Sequence, residues 1–229
     1  MVGGYAEYVA VEEDNVALVP ASVTDEQAAI AACSIGTVLN GIRDVGHVSI
    51  GDRVLVTGAG GGLGVHAVQL ARLAGAYVIA QTTSPDKAAM MESLGADATV
   101  VSARGEDFSA RIRELTAGEG VDVVIDNVGT PLFAATRRSL GVNGRWLLIG
   151  QLTGDFVPFN PAQLFLRNQS MLSVHSTTRA QLEDTLALIA RGRIRPVISG
   201  IHPLSEIRQV HERVERGGVP GRVVVRPGA

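Results

Sequence analysis

The chain has 229 residues, 46% hydrophobic and 19% charged, which excludes a disordered polypeptide and suffices for a sizeable core. A formal net charge of −3 with 4% aromatics supplies neither the basic footprint nor the stacking surface that nucleic acid or an anionic membrane calls for. A single cysteine, Cys33, excludes an internal disulfide framework and a cysteine-only metal knuckle within this chain. No apolar run approaches about 18 residues, so no bilayer span is expected. Glu7, Glu12, Glu13 and Asp14 near the start argue against a secretory signal. The expectation is a soluble cytoplasmic protein acting on a small molecule, with no nucleic-acid or membrane partner.

The first stretch, Tyr5 to Leu18, alternates and predicts short strands, closed by Pro20. Thr24 with Gln27 three residues on predicts a capped helix start. Ala28 to Leu39 then predicts two buried helical pieces around Cys33 to Gly36. From Gly51 the rhythm changes. Short apolar runs at Val54–Thr57, Tyr77–Ala80, Ala98–Val101, Val121–Ile125, Arg145–Ile149 and Met171–His175 predict strands. Helices are predicted between them over 65–73, 87–94, 108–115 and 132–140. Strands of this kind are covered on both faces, which points to a doubly wound parallel α/β sheet. After Ser176 the alternation breaks: a helix over 179–190, Pro196–Ile198, a helix near 204–214 and Val223–Val225 predict a different structural unit.

The strongest chemical signal is Gly58 to Gly64. Ala59, Gly61 and Gly64 hold the G-x-G-x-x-G spacing of a dinucleotide fingerprint, with Gly60, Gly62 and Leu63 filling the loop. Such a loop needs a small residue at the tight turn, a glycine where backbone approaches a pyrophosphate, and a glycine where helix meets strand. The following helix directs free N–H groups and a positive dipole end at the anion. A nicotinamide site selective for NAD places an acid at the end of the second strand. Here that stretch offers Thr82, Thr83, Ser84 and then Lys87, donors and a cation suited to the 2′-phosphate of NADP(H). The plainer reading of Thr-Thr-Ser is turn and cap chemistry.

Gly3–Val9, Gly51–Ala59, Leu94–Asp97, Gly120–Gly129 and Gly221–Val225, in that order, closely resemble the medium-chain dehydrogenase/reductase superfamily over essentially the whole chain. Within it the chain is most similar to NADPH-dependent quinone reductases and acryloyl-CoA reductase-type enoyl reductases; zinc-dependent alcohol dehydrogenases are similar too. The resemblance implies a hydride-transfer enzyme. It places Thr37 beside the nicotinamide ribose, Asn127, Val128, Gly150 and Gln151 along the cofactor cleft, and Arg222 near the cofactor. A back-bonded helix residue is the alternative for Thr37, and a surface arginine for Arg222. The cleft positions agree independently with ligand binding at the carboxyl ends of parallel strands.

Members of the superfamily run longer at the N-terminus, where a GroES-like catalytic domain forms. The expected division is residues 1–33 as the end of an incomplete GroES-like domain, 34–176 as the Rossmann domain binding NADP, and 177–229 as the return to the catalytic part. No residue qualifies as a general acid or base. Cys33 lies four residues before Thr37, the spacing at which zinc-dependent members carry a zinc ligand, so zinc there is possible but needs ligands from upstream; a small buried cysteine is the alternative. The five histidines show no ligand spacing. Three activities follow as expectations: NADPH-dependent reduction of an enoyl thioester or quinone, zinc-dependent alcohol–carbonyl interconversion, or a weakly active nucleotide-binding remnant. The run Met171–His175 would be the last strand of the sheet, an edge that relatives pair in a homodimer.

Overall fold

The computed structural model describes residues 4–228. Six strands form one sheet: β1 (Arg53–Thr57), β2 (Tyr77–Thr82), β3 (Ala98–Val101), β4 (Val121–Asp126), β5 (Leu140–Leu148) and β6 (Ser170–Ser173). Their order is β3-β2-β1-β4-β5-β6 and every neighbouring pair is parallel. This is the doubly wound arrangement expected. It reverses direction between β1 and β4, and that reversal opens a crevice at the carboxyl ends of the strands.

The strands read as continuous apolar runs because both faces are covered. In β1, Val54 and Val56 pack into one core with the helix Gly64–Leu73. Leu55 between them packs into a second core with Phe108, Ile112 and Leu132. The same period of two puts Val78 and Ala80 on the first side and Ile79 on the second. Each such buried side chain contributes roughly 1.5–3 kcal/mol.

Two expectations near the start are corrected. Tyr5 to Leu18 forms no strand: it is irregular, with a single 3₁₀ turn at Glu13–Asn15. Alternation directs side chains to two sides, but a ladder needs a partner edge, and none faces this segment among the described residues. Tyr8 and Leu18 lie almost fully exposed. The helix after Pro20 is one piece, Asp25–Val45, not two. Gly36 keeps helical dihedrals, and the backbone widens into π-type turns over Ala31–Gly36 and Asn40–Val45 instead of breaking. Glycine is needed at 36 for close packing: a Cβ there would lie 2.8 Å from Thr177 Oγ1. The expected capping box is present, with Thr24 Oγ1 accepting from Gln27 N at 3.3 Å and Thr24 N donating to Gln27 Oε1 at 3.1 Å.

By length and composition alone Asp25–Val45 could cross a bilayer, at 21 residues and a mean hydropathy of 1.2 over its most apolar stretch. Of that stretch 56% is buried, and Ile35, Val38 and Ile42 pack into the first core, so it is a core helix of this fold. It runs unbroken through the boundary expected at 33/34.

Beyond β6, the helix Arg179–Ala190 lies against the π-type turn Ala31–Gly36. Two further strands, β7 (Ile198–Pro203) and β8 (Arg222–Arg226), pair in parallel as a separate small sheet, joined by the helix Ile207–Glu215.

Candidate cofactor-binding cleft

A cleft of about 880 Å³ opens at the carboxyl ends of β1, β2 and β4. Gly60, Gly61, Gly62, Leu63 and Gly64 form its floor. The loop leaves β1 through Gly58 at φ +58°, so the left-handed turn falls on Gly58 and not on Ala59, the position expected for the tight turn. Ala59 is fully buried beneath the loop, its N–H donating to Gln81 O at 2.8 Å. Gln81 is the organiser that sequence reading missed. Its Oε1 accepts from Gly58 N at 3.0 Å and its Nε2 donates to Ser102 Oγ at 2.9 Å, which ties the loop to β2 and β3. A glutamine inside an apolar strand was the available signal, because a buried amide must find partners.

Gly64 is where the helix touches the loop. A Cβ there would lie 2.4 Å from Gly58 O and 2.6 Å from Ala59 Cα. Over Gly62 the obstacle is the Arg222 side chain, with Nε 2.3 Å from the same imagined atom. Arg222 lines the cleft and donates from Nε to Ser34 Oγ at 2.7 Å, so it joins the long helix, the glycine loop and β8.

The end of β2 carries Thr82 and Thr83 into the cleft, while Ser84 falls outside its lining. Thr82 is buried and its Oγ1 accepts from Ser84 N at 3.2 Å, the local turn chemistry that was the plainer reading. Lys87 lines the cleft too, but its Nζ reaches Gly60 O at 3.4 Å and Val219 O at 3.3 Å. Burial holds its ammonium below the ordinary lysine value. Arg104, from the turn after β3, enters the same end of the cleft and was not singled out in the sequence.

At the end of β4, Asn127 and Val128 line the cleft. Asn127 donates from Nδ2 to Thr57 O at 2.9 Å, and its Oδ1 is buried without a partner. Beneath it, Asp126 is fully buried. Its Oδ1 accepts from Thr57 Oγ1 at 2.7 Å, Val128 N at 3.1 Å and Gly129 N at 3.0 Å, and its Oδ2 accepts from Trp146 Nε1 at 3.0 Å. Gly150 and Gln151 do not line the cleft. They brace it from behind: Gln151 Oε1 accepts from Thr130 N at 2.8 Å, and a Cβ on Gly150 would lie 2.4 Å from Asn127 O. Leu132, Leu152, Thr153 and Asp155 complete the far wall, and Thr153 Oγ1 is a second buried atom without a partner.

Thr37 is buried in the long helix, outside the lining of the cleft. Cys33 is exposed on the same helix, so the expectation of a small buried cysteine does not hold. Among the described residues no group of three His, Cys, Asp or Glu is placed to hold a metal ion, Cys33 included. His66 is buried on the helix behind the loop. Its Nε2 accepts from Val197 N at 3.1 Å, which leaves Nδ1 to donate to Gly62 O at 2.9 Å.

The residues present fit a dinucleotide. Leu63 is the only side chain beyond glycine between Gly60 and Gly64 where a diphosphate would approach, the backbone of Gly58 and Ala59 leaves no room for a Cβ at Gly64 where helix meets loop, and Lys87 and Arg222 flank the loop with positive charge. Strand order, switch point and loop together define a doubly wound nucleotide-binding enzyme fold. Residues 62–191 match the family model of the zinc-binding dehydrogenases. An acryloyl-coenzyme A reductase of Sulfurisphaera tokodaii is 34% identical over 98% of this chain, and a second, of Metallosphaera sedula, is 35% identical over 97%. The crystal structure of an NAD-dependent alcohol dehydrogenase superposes with a TM-score of 0.90 at 34% identity, covering 99% of this chain and 66% of its own. The chain belongs to the zinc-binding dehydrogenase family, within the medium-chain dehydrogenase/reductase superfamily of oxidoreductases. It spans 66% and 65% of the lengths of the two acryloyl-coenzyme A reductases.

Proposed function

We propose that the protein is an NADPH-dependent reductase of an activated C=C, an enoyl thioester, with a quinone as the other acceptor class. The observation that carries this reading is the cleft: a glycine-rich loop at the switch point, with Thr82, Thr83, Lys87 and Arg104 but no acid lining the end of the cleft beside β2. The bound nucleotide supplies the hydride. The chain's own residues do the holding. Gly60, Gly62, Leu63 and Gly64 present backbone N–H groups and the N-terminus of the helix Gly64–Leu73 to the diphosphate, while Gly61 N closes the turn onto Gly58 O at 2.9 Å. Asn127 ties the end of β4 to Thr57 O beside the cleft, and Val128, Leu132 and Leu152 form its apolar wall. Arg222 neutralises the diphosphate from the side of Gly62.

The acceptor class is supported by the names of similar proteins, two acryloyl-coenzyme A reductases and a crotonyl-CoA reductase of Streptomyces collinus. Alcohol–carbonyl interconversion is the second reading, favoured by Cys33 standing four residues before Thr37. The described residues around Cys33 do not by themselves form a metal site. The domain reading, with 34–176 as the nucleotide-binding part, belongs to the same proposal, as does a cytoplasmic homodimer paired along β6, whose outer edge has no partner strand among the described residues.

The test is a titration of the purified 229-residue chain with NADPH and NADH, followed by nicotinamide fluorescence, with crotonyl-CoA and then a quinone added. Tight NADPH binding with oxidation on either acceptor supports the reading. Failure to bind either nucleotide overturns it, and oxidation of an alcohol with neither acceptor reduced replaces it with the second reading.

A further inference from the structure

Resting on the NADP reading above, the structure assigns selectivity for the 2′-phosphate to Arg104. We propose that Arg104, at the tip of the turn after β3, is the cation that separates NADPH from NADH, and that Lys87 is not. Sequence spacing favoured Lys87, yet its ammonium is held between two main-chain carbonyls, Gly60 O at 3.4 Å and Val219 O at 3.3 Å. A cation engaged in this way ties the glycine loop to the segment before β8, and it acts on whichever nucleotide is bound.

Arg104 is placed differently. β3 runs parallel to β2 with Thr82 opposite Val101, and Ser102 N donates to Thr82 O at 3.1 Å. The chain therefore leaves β3 beside the end of β2, where a 2′-phosphate would lie. It then turns at once. Glu106 N donates to Ala103 O at 3.1 Å, and Gly105 takes φ +77°. That pattern is a tight turn with the glycine at its third position and Arg104 at its second. Glu106 locks the turn from its other side, its carboxylate accepting from Ala103 N at 2.6 Å.

The two acids that follow Arg104 in the chain are engaged elsewhere. Glu106 caps its own turn, and Asp107 holds Arg138 at 2.9 Å and Ser109 N at 3.0 Å. Among the described residues no carboxylate pairs with Arg104, although the residue lines the cleft. An exposed guanidinium on a turn closed by two hydrogen bonds, in the same cleft lining as Thr83, suits a phosphate dianion.

The experiment measures Kd for NADPH, NADH and 2′,5′-ADP by calorimetry on the 229-residue chain and on Arg104→Gln, Arg104→Lys and Lys87→Gln. Loss of one charge-assisted contact predicts that Arg104→Gln weakens NADPH and 2′,5′-ADP by roughly tenfold or more, with NADH within about twofold. Arg104→Lys restores part of the NADPH affinity, and Lys87→Gln weakens both nucleotides alike. The assignment is overturned if Arg104→Gln weakens NADPH and NADH equally or changes neither, or if Lys87→Gln alone abolishes the preference. The unsubstituted chain tests the underlying reading separately: equal affinity for the two nucleotides overturns NADP selectivity and this assignment with it.

Discussion

The backbone N–H of Val197 donates to Nε2 of His66 at 3.1 Å, bridging 131 positions of sequence. Because Nε2 must accept, the ring is neutral, and its Nδ1–H holds the carbonyl of Gly62 in the glycine loop. One buried imidazole thus joins the loop to the segment leading into β7.

That arrangement sets a pH dependence. Burial pushes the His66 imidazole down to about 4 from its ordinary 6.5, with the charge on Arg222 acting in the same direction. Between those values the unfolded chain takes up a proton that the folded chain refuses. Stability is therefore fully present above about pH 6.5 and is lost as pH falls toward 4, by about 3 kcal/mol in all. Urea unfolding at pH 7.5, 6 and 5 reads this directly. The stability gap between the protein and His66→Gln narrows as pH falls; a gap that stays constant over that range would sink the assignment.

Asp126 makes the second prediction. Its carboxylate is the shared acceptor for Thr57, Val128, Gly129 and the indole of Trp146, so the β4 end of the cleft is hung on one buried group. Asp126→Asn keeps the shape but turns one acceptor into a donor facing donors. The expected cost is about 3 kcal/mol, with weaker nucleotide binding because the Asn127–Gly129 backbone loses its anchor. Trp146 is the single tryptophan, so its emission reports the change alongside the melting temperature. Unchanged emission with unchanged stability would show that the network does not hold the loop.

The sheet was legible from the sequence because its physics is local. Val54, Leu55 and Val56 alternate between two cores, so the strand reads as an apolar run, and Gly75 and Gly95 end their helices at positive φ. The glycine loop was legible for the same reason. What was not legible depends on register. Arg104 reaches the cleft only because β3 lies beside β2, and Gln81 supports the loop only because Gly58 folds back over it. Lys87 is engaged by Val219, which arrives from the far end of the chain. The strands expected over Tyr5 to Leu18 failed for a related reason, since alternation does not specify a partner edge.

The last prediction separates two glycines of the loop, Gly62 and Gly64, that look alike in sequence. At Gly64 a new Cβ meets backbone, Gly58 O at 2.4 Å and Ala59 O at 2.6 Å, and backbone cannot step aside without moving the helix start. At Gly62 it meets the Arg222 side chain, which can swing away at the expense of its hydrogen bond to Ser34. Gly64→Ala should therefore cost stability on the scale of an overpacked core, about 2–3 kcal/mol, and Gly62→Ala about 1 kcal/mol. Binding should follow a different order from stability, since Gly62→Ala removes Arg222 from the diphosphate while leaving the sheet intact. Melting temperatures and nucleotide affinities of both variants decide it. A Gly62→Ala protein that melts lower than Gly64→Ala would mean that the contact of helix and loop at Gly64 is not the constraint that shapes the cleft.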